Sequence, residues 1–271
     1  MPETFSQMEA AMSYYGKLPI VLLSEIASAK EDTYRCRIAT YLLGRGREKV
    51  TVEEIARDCF VSKSAVSRFC REIGLEDFDE LKEIVMDTDR PFGFLGNDLE
   101  PSSRASVVVQ KAADAMQQVA ETLDYVALHK LVSEMQKAKR IACFGLLKAE
   151  TAAINLQCDL TMLGFTVLTK VSYKDQMDFL SQSEADDLIL IFSYQGIFFE
   201  YDLPAEMKNG KGRIWIITGN PSAKEQLNHR SMIHDVLSFD SALDFLSHPY
   251  QLLAVSGIIA QETAAVQNNR S

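Results

Sequence analysis

Apolar positions recur every three or four residues through most of the first 88 residues, a pattern that predicts a run of amphipathic helices. The predicted helices are 5–15, 19–29, 32–44, 51–59, 63–73 and 77–87. The pattern stops at Arg90-Pro91-Phe92-Gly93, and a stretch rich in Gly, Pro, Asn and Ser continues to Ser103. The sequence therefore predicts an all-α domain over residues 1–88 and a linker over residues 89–103.

From residue 104 onward, short apolar segments alternate with helical patterns. The predicted strands are 140–144, 166–170, 188–192, 213–218 and 233–237. The predicted helices are 104–123, 126–138, 149–163, 173–182, 199–209, 221–229 and 248–267. Strands such as LILIF are apolar throughout, as expected where helices cover both faces of a parallel sheet. Residues 104–271 are thus predicted to form an α/β domain, with a parallel sheet of about five strands flanked by helices.

Residues 51–75 are predicted to form two short helices joined by a tight turn. Thr51 and Glu54 have the spacing of a capping box, Ser62 is placed to cap the second helix, and Gly74 to end it. This arrangement is typical of a helix-turn-helix, whose second helix enters the major groove of DNA. An ordinary helical hairpin with a solvated outer face would show the same pattern.

The outer face of the second helix is polar and cationic, and its side chains are the candidate DNA contacts. These candidates are Ser62, Lys63, Ser64, Ser67, Arg68 and Arg71. Hydroxyl groups and cations of this kind bind phosphates and the edges of guanine. Because Arg68 precedes a core Phe, a partly structural role for it stays open. Further basic residues at positions 35, 45 and 47 are candidates for flanking phosphate contacts.

Charge is distributed unevenly along the chain. The 271 residues carry a net charge of −10, which by itself argues against nucleic acid as a partner. Residues 35–71, however, include nine basic and four acidic residues, so this segment has a net charge of about +5. A local basic patch on an acidic protein favours selective, salt-sensitive DNA binding.

Cysteine usage and the chain start indicate a cytoplasmic protein. The five cysteines are scattered in apolar contexts without a C-x-x-C pair, which predicts buried, reduced thiols. The start, MPETFSQMEA, lacks the basic and apolar regions of a signal peptide. No apolar run approaches membrane-spanning length, so no membrane partner is expected.

Three loops follow predicted strands and precede helices, where parallel α/β sheets bind ligands. They are 145–148, 193–196 and 218–221. The candidate ligand-binding residues are Gly145, Lys148, Ser193, Gln195, Gly196, Glu200 and Thr218. Taken alone, Gly145 or Gly219 is better explained by a tight turn that needs glycine, whereas three loops at the same edge of the sheet favour a ligand pocket.

The whole chain resembles the RpiR family of bacterial transcriptional regulators, which join an N-terminal helix-turn-helix to a C-terminal sugar isomerase (SIS) domain. In the first half the resemblance rests on Ile55-Ala56, Val61-Ser62, the run VSRFCR at 66–71 and the run IGL at 73–75. Asp77 stands where the family often has Gly. The resemblance implies operator DNA as a partner, a SIS-like fold for residues 104–271, and a small-molecule effector such as a phosphosugar.

The SIS-like half departs from the family in the loops that hold phosphate. The family's G-x-G-x-S reads here GLLKA, with Leu147 and Ala149 at the second glycine and the serine. Its S-x-S-G-x-[ST] reads here SYQGIF, which keeps Ser193 and Gly196. Each missing hydrogen bond to a phosphate costs about 1.5–3 kcal/mol, so phosphosugar affinity should fall by orders of magnitude unless something compensates. Lys148 is either that compensating charge or a solvated loop lysine.

Two function classes follow. The favoured one is a DNA-binding regulator, a homodimer or homotetramer, whose SIS-like domain senses a small metabolite, dimerises, or does both. The alternative is a sugar-phosphate isomerase or binding protein with a helical oligomerisation domain. The four histidines show no metal-ligand spacing and there is no G-x-S-x-G elbow, so no catalytic residue, metal or cofactor is predicted.

Overall fold

The computed structural model describes residues 17–28, 33–45, 50–73, 75, 77–83, 95, 98–199, 210–227, 232–242 and 246–269. The chain divides into two compact units. Unit 1 comprises residues 1–90, 170–182 and 199–209, and unit 2 comprises residues 91–169, 183–198 and 210–271. The predicted helix 5–15, the Gly74 helix stop and residues 200–209 lie outside the described residues. The domain boundaries at residues 88 and 104 stay predictions.

The helices and strands are named here in chain order. The helices are α1 (Lys17–Ser28), α2 (Tyr34–Arg45), α3 (Val52–Asp58), α4 (Lys63–Glu72), α5 (Phe78–Glu83), α6 (Pro101–Thr122), α7 (Tyr125–Met135), α8 (Lys148–Met162), α9 (Tyr173–Ser181), α10 (Ala223–Leu227) and α11 (His248–Asn268). The strands are β1 (Arg140–Gly145), β2 (Val167–Leu168), β3 (Asp187–Phe192), β4 (Arg213–Thr218) and β5 (Ile233–Ser238).

Unit 1 is helical, with α1–α5 packed around fully buried side chains that include Leu22, Ile38, Ile55 and Phe69. It also contains α9, which comes from between β2 and β3 in the chain. The backbone N–H of Tyr173 in α9 donates to Oγ of the buried Ser24 in α1, over 3.4 Å. Glu25 is also buried, and burial raises the pKa of its carboxyl group, although the carboxylate lies 3.4 Å from a guanidinium nitrogen of Arg35 in α2.

Unit 2 is built on a five-stranded sheet of order β2-β1-β3-β4-β5, in which every neighbouring pair is parallel. The edge strand β2 has two residues, fewer than the predicted 166–170. Its ladder with β1 ends after the Ala142–Leu168 pair, because the hydroxyl of Thr169 donates a hydrogen bond to the carbonyl oxygen of Cys143 at 2.7 Å. Within the described residues, which do not include most of the predicted helix 199–209, the predicted order of strands and helices is otherwise observed.

The core of unit 2 lies between one face of the sheet and the helices α6, α7, α8 and α11. Trp215 in β4 is its largest buried side chain, and its indole N–H donates to the Glu134 carboxylate of α7 at 3.1 Å. In β5, Asp235 lies 2.6 Å from Lys130 and 2.9 Å from Lys224. Burial opposes its ionised form, but these two ammonium groups outweigh that effect and lower the pKa of Asp235 to about 2.

Two expectations need correction. Helix α6 begins at Pro101 rather than near residue 104, because proline is favourable at the first helical position, where no N–H is required. Of the cysteines, residues 59, 70 and 143 are buried as expected, whereas Cys36 is partly exposed and Cys158 is exposed. Cys158 lies four residues from both Ile154 and Met162, so it shares their outward face of α8.

Candidate functional site

The helices α3 and α4 begin as the sequence predicts. The N–H of Thr51 donates to the Glu54 carboxylate at 2.8 Å, while the N–H of Glu54 donates to the Thr51 hydroxyl at 3.2 Å. This is a complete capping box. Ser62 caps α4, its Oγ accepting the N–H of Ala65 at 3.2 Å. One of the six candidate DNA contacts therefore also fixes the start of the helix that carries the others.

The turn between α3 and α4 is held by backbone hydrogen bonds and contains an unusual residue. The N–H of Val61 donates to the carbonyl of Ala56 at 2.9 Å, which closes the turn. Phe60 adopts a φ of 53°, in the left-handed region that favours glycine, and 85% of its surface is exposed. The sequence pattern predicted the turn but gave no signal for the backbone conformation of Phe60.

Helix α4 separates its residues by face. Val66, Phe69 and Cys70 are fully buried, and Ala65 is nearly so. The candidate contacts Lys63, Ser64, Arg68 and Arg71 are exposed, and Ser67 is partly exposed. The structure thus brings the predicted DNA-contacting side chains together on one solvent-facing side of one helix, next to its capped N-terminus.

Arg68 is held by a side chain from another helix. Its Nε donates to the hydroxyl of Tyr34 in α2 at 3.2 Å, and its guanidinium lies 4.8 Å from the centroid of the Tyr34 ring. The Tyr34 hydroxyl in turn donates to the Glu72 carboxylate at 2.5 Å. Burial and this bond raise the pKa of Tyr34, so the hydroxyl stays protonated. Sequence reasoning missed Tyr34, which lies 34 positions before Arg68.

The other basic side chains of unit 1 differ in how far they are neutralised. Lys63 pairs with Glu53 at 2.5 Å, and Arg45 lies 3.8 Å from Asp58. The guanidinium of Arg35 faces a buried carboxylate, and residue 47 lies outside the described residues. The side chain of Arg71, in contrast, makes no ion pair or hydrogen bond with any residue that the structure describes. Among the described residues, the solvent-facing side of α4 therefore offers the unneutralised guanidinium of Arg71 beside the oriented Arg68.

In unit 2 the three candidate loops lie at the carboxyl ends of β1, β3 and β4, which are neighbours in the sheet. The first loop approaches its helix closely at Gly145, where a Cβ would lie 2.7 Å from the carbonyl of Ala149. Leu147 has φ 53° and ψ −114°, a conformation typical of glycine. The loop therefore keeps a glycine-like backbone where the resembled family has its second glycine, although the residue is leucine.

The hydroxyl groups of the second and third loops bond to the protein itself. Ser193 is buried, and its Oγ accepts the N–H of Phe198 at 3.2 Å. The hydroxyl of Thr218 donates to the carbonyl of Tyr194 at 3.0 Å and accepts the N–H of Asn220 at 3.2 Å. Gly196 has a φ of 80°, which its turn requires.

Tyr194 lies at the centre of a polar network that the sequence did not reveal. Its hydroxyl lies 2.6 Å from Oε1 of Gln251 in α11 and 2.7 Å from Oγ of Ser241. Its ring centroid lies 4.8 Å from that of His248. Gln251 is fully buried and also donates to the carbonyl of Ala115 in α6. These partners lie up to 57 residues from Tyr194, so no local pattern could have indicated them.

The remaining ligand candidates are placed as follows. Lys148 begins α8, and partial burial lowers its pKa, while partial burial raises the pKa of Glu150. Gln195 lies, half-buried, in the second loop, and residue 200 falls outside the described residues. The aromatic residues 198 and 199 are buried as core side chains.

Within the described part of the chain, no group of three or more His, Cys, Asp or Glu side chains is arranged to hold a metal ion. The described helices include none that combines the length and the apolar character needed to cross a bilayer.

Fold and site define a helix-turn-helix protein with a C-terminal parallel α/β unit. Residues 22–89 match the model of the helix-turn-helix domain of the rpiR family, so the chain carries a helix-turn-helix of that family. The helix-turn-helix of the rpiR family and the fold class predicted from the sequence are confirmed. The predicted class of protein, a helix-turn-helix transcriptional regulator, agrees with the names of its relatives.

Two curated relatives illustrate the similarity. An uncharacterized HTH-type transcriptional regulator of Haemophilus influenzae is 29% identical over 126 residues, which are 43% of this chain and 44% of the relative. The regulator YfhH of Escherichia coli K12 is 26% identical over 203 residues, 70% of this chain and 72% of the relative. The chain thus spans less than half of the first relative and about three quarters of the second.

The fold is also similar to a solved structure, the Vibrio vulnificus NanR protein complexed with ManNAc-6P. The TM-score is 0.50 at 18% sequence identity, and the match covers 93% of each chain. At this identity the similarity concerns the fold.

Proposed function

We propose that this protein is a transcriptional regulator that binds double-stranded operator DNA through α4. The observation that carries the proposal is the solvent-facing side of α4, where Arg68, Arg71, Lys63 and Ser64 lie together beside a capped N-terminus. A helix of this kind inserts its N-terminal half into the major groove. The names of the relatives support the same function.

DNA binding is tested with fluorescence anisotropy on DNA from upstream of the protein's own gene, over a range of salt concentrations. The Lys63→Ala/Arg68→Ala double variant should lose binding, and the slope of log affinity against log salt should become shallower. The matched control is Lys137→Ala/Lys139→Ala, which removes two exposed charges in unit 2. If the first double variant retained wild-type affinity, α4 would not be the recognition helix.

The α/β unit is proposed to act as an effector or dimerisation module, and the protein as a homodimer or homotetramer. NanR, which has a similar fold, is complexed with ManNAc-6P. In this chain, however, the hydroxyls of Ser193 and Thr218 already bond to the protein. We therefore expect that common hexose phosphates and amino-sugar phosphates bind weakly and that the effector has a different chemistry.

A thermal-shift screen of metabolites tests this part. Hexose phosphates should move the melting temperature by less than about 1 °C, whereas an effector bound at a hundred times its Kd would stabilise the fold by about 2.7 kcal/mol. A shift of several degrees with glucosamine 6-phosphate would show that the altered loops still hold a phosphosugar.

We also propose that the protein is not an enzyme and acts in the cytoplasm, where operator DNA is found. An isomerase would need a base beside the substrate carbon, and Glu150 is the described acidic residue next to the first loop. Incubation with hexose and pentose phosphates, followed by chromatography, should give no isomerised product. Turnover that Glu150→Gln abolished would favour the isomerase alternative.

A further inference from the structure

Helix α9 belongs to unit 1, although the chain reaches it between two strands of the sheet. Tyr173 and Leu180 of α9 are buried, and the backbone N–H of Tyr173 donates to the buried hydroxyl of Ser24 in α1 at 3.4 Å. Four residues join the end of β2 to α9, and five join α9 to the start of β3. The helix is thus docked on unit 1 and tied closely to the sheet at both of its ends.

The first turn of α9 lies among charges from other helices of unit 1. A hydrogen bond within α9 raises the pKa of the Lys174 ammonium, and the carboxylate of Glu72 in α4 raises it further. Burial raises the pKa of Glu25 in α1, and the carboxylates of Asp175 in α9 and Glu72 add to that rise. The charges of α9 and the carboxylate of Glu72 are therefore close enough to act on one another.

The same Glu72 carboxylate holds Arg68, the proposed DNA contact. It accepts a hydrogen bond from the hydroxyl of Tyr34 at 2.5 Å, and that hydroxyl accepts one from Nε of Arg68 at 3.2 Å. Glu72 also lies 3.9 Å from Nε of Arg68 directly. Because its side chain is only 19% exposed, water and salt screen these interactions weakly. A change of charge on α9 that displaces Glu72 therefore also displaces the guanidinium of Arg68.

We propose that α9 positions Arg68 for DNA binding through Glu72, with Lys174 as the positioning residue on α9. The ammonium group of Lys174 attracts the Glu72 carboxylate and favours the arrangement in which Tyr34 and Glu72 hold Arg68. The inference rests on the proposed function, since it requires α4 to be the recognition helix, and it adds a means of regulating that function.

The sheet order explains how the α/β unit would exert this regulation. The two strands that flank α9 in the chain, β2 and β3, both lie beside β1, whose carboxyl end carries the first candidate loop. A rearrangement of that loop on effector binding would move these strands and, through the short connections, α9. Operator affinity then changes because Arg68 is held differently.

The substitution Lys174→Glu tests the proposal in the full-length protein. It places a carboxylate where Glu72 had an attractive partner, so Arg68 is held less well. Affinity for DNA from upstream of the protein's own gene, measured by fluorescence anisotropy, should fall about five- to tenfold. In the Arg68→Ala background the same substitution should change affinity by less than about twofold, because the side chain on which it acts is absent. Low salt keeps the weak binding of the Arg68→Ala variants measurable.

The matched control is Lys137→Glu, which makes the same change of charge at an exposed position of unit 2. Its affinity should stay within about twofold of the wild-type value, because a single charge remote from the DNA contributes little through screened long-range repulsion. Circular dichroism checks that each variant folds. If Lys174→Glu does not fold, Lys174→Gln takes its place, with an expected loss of about two- to threefold that again requires Arg68.

Two results would overturn the proposal while leaving DNA binding by α4 intact. Wild-type affinity in Lys174→Glu would show that α9 does not act on Arg68. An equal loss in the wild-type and Arg68→Ala backgrounds would show that Lys174 contacts DNA itself or that the substitution disturbs the whole unit. A wild-type protein that bound no DNA would instead refute the proposed function, and the inference with it.

Discussion

The hydroxyl of Tyr34 in α2 lies 3.2 Å from Nε of Arg68 in α4, and the Tyr34 ring lies under the same guanidinium. Because the Tyr34 hydroxyl donates its own proton to Glu72, it presents its lone pairs to Arg68. One edge of the guanidinium is thereby fixed, and no described residue bonds to its two terminal amino groups. Tyr34 thus positions the arginine that we propose contacts DNA.

Tyr34→Phe should therefore weaken operator binding about five- to tenfold, or roughly 1 kcal/mol, because Arg68 loses a hydrogen bond that orients it. The salt dependence should stay as in the wild type, since no charge is removed, whereas Arg68→Ala should reduce the slope by about 1. Anisotropy titrations at several salt concentrations measure both. Tyr125→Phe removes a hydroxyl that bonds to the Ala120 carbonyl in unit 2 and should leave affinity unchanged. Equal affinity in Tyr34→Phe and wild type would refute the positioning role.

Thr51→Ala removes one side of the capping box at the start of α3. The N–H of Glu54 then loses its acceptor, and the free energy of unfolding should fall by about 1 kcal/mol. Urea denaturation measures the change. Ser106→Ala, on the exposed surface of α6, removes a hydroxyl that bonds to the Ser102 carbonyl within the same helix and should have little effect. If the free energy of unfolding falls as little in Thr51→Ala as in Ser106→Ala, the capping box does not contribute to stability.

Phe60→Gly should raise the free energy of unfolding by roughly 0.5–1 kcal/mol. At a φ of 53° a side chain is strained, and because Phe60 is 85% exposed, little packing is lost. Phe60→Val should instead lower stability, because a β-branched side chain tolerates this conformation less well. Thermal denaturation of both variants and of the wild type ranks the three proteins by stability. The prediction is wrong if Phe60→Val is more stable than Phe60→Gly.

Gly145→Ala should destabilise unit 2 by about 2 kcal/mol or more. The added Cβ would lie 2.7 Å from the carbonyl carbon and oxygen of Ala149, so the first turn of α8 must shift. Gly44→Ala is the control: its Cβ meets nothing within 4 Å and it lies in α2, so this variant should be as stable as wild type or more so. Differential scanning calorimetry compares the two. Similar melting temperatures for both variants would contradict the crowding at Gly145.

Asp235 should contribute a pH-dependent part of the stability. Its pKa, ordinarily 3.8, is lowered to about 2 in the fold, so the ionised carboxylate stabilises the folded state. This contribution is fully present above pH 3.8 and is lost as the pH falls through about 2. Asp235→Asn should cost about 2 kcal/mol at pH 7, and its difference from wild type should narrow between pH 4 and pH 2. Urea denaturation at several pH values measures this difference, and a difference that stayed constant between pH 7 and pH 2 would contradict the prediction.

The features predicted from sequence are those that depend on residues close together in the chain. The Thr51–Glu54 capping box and the Ser62 cap need residues three positions apart, and the apolar runs of β3 and β4 identify buried parallel strands. The features missed depend on the tertiary fold: Tyr34 reaches Arg68 across 34 positions, and Gln251 reaches Tyr194 across 57. The end of β2 was missed because a side chain, that of Thr169, replaces the backbone ladder there.

Helix α9 has a consequence for the order in which the protein folds. It belongs to unit 1, where it donates a hydrogen bond to the buried Ser24, yet the chain reaches it only at Tyr173. During synthesis, therefore, about two thirds of the 271 residues must be made before the unit that contains α4 and its proposed DNA contacts is complete. The N-terminal unit cannot finish folding before β1 and β2 of the sheet have left the ribosome.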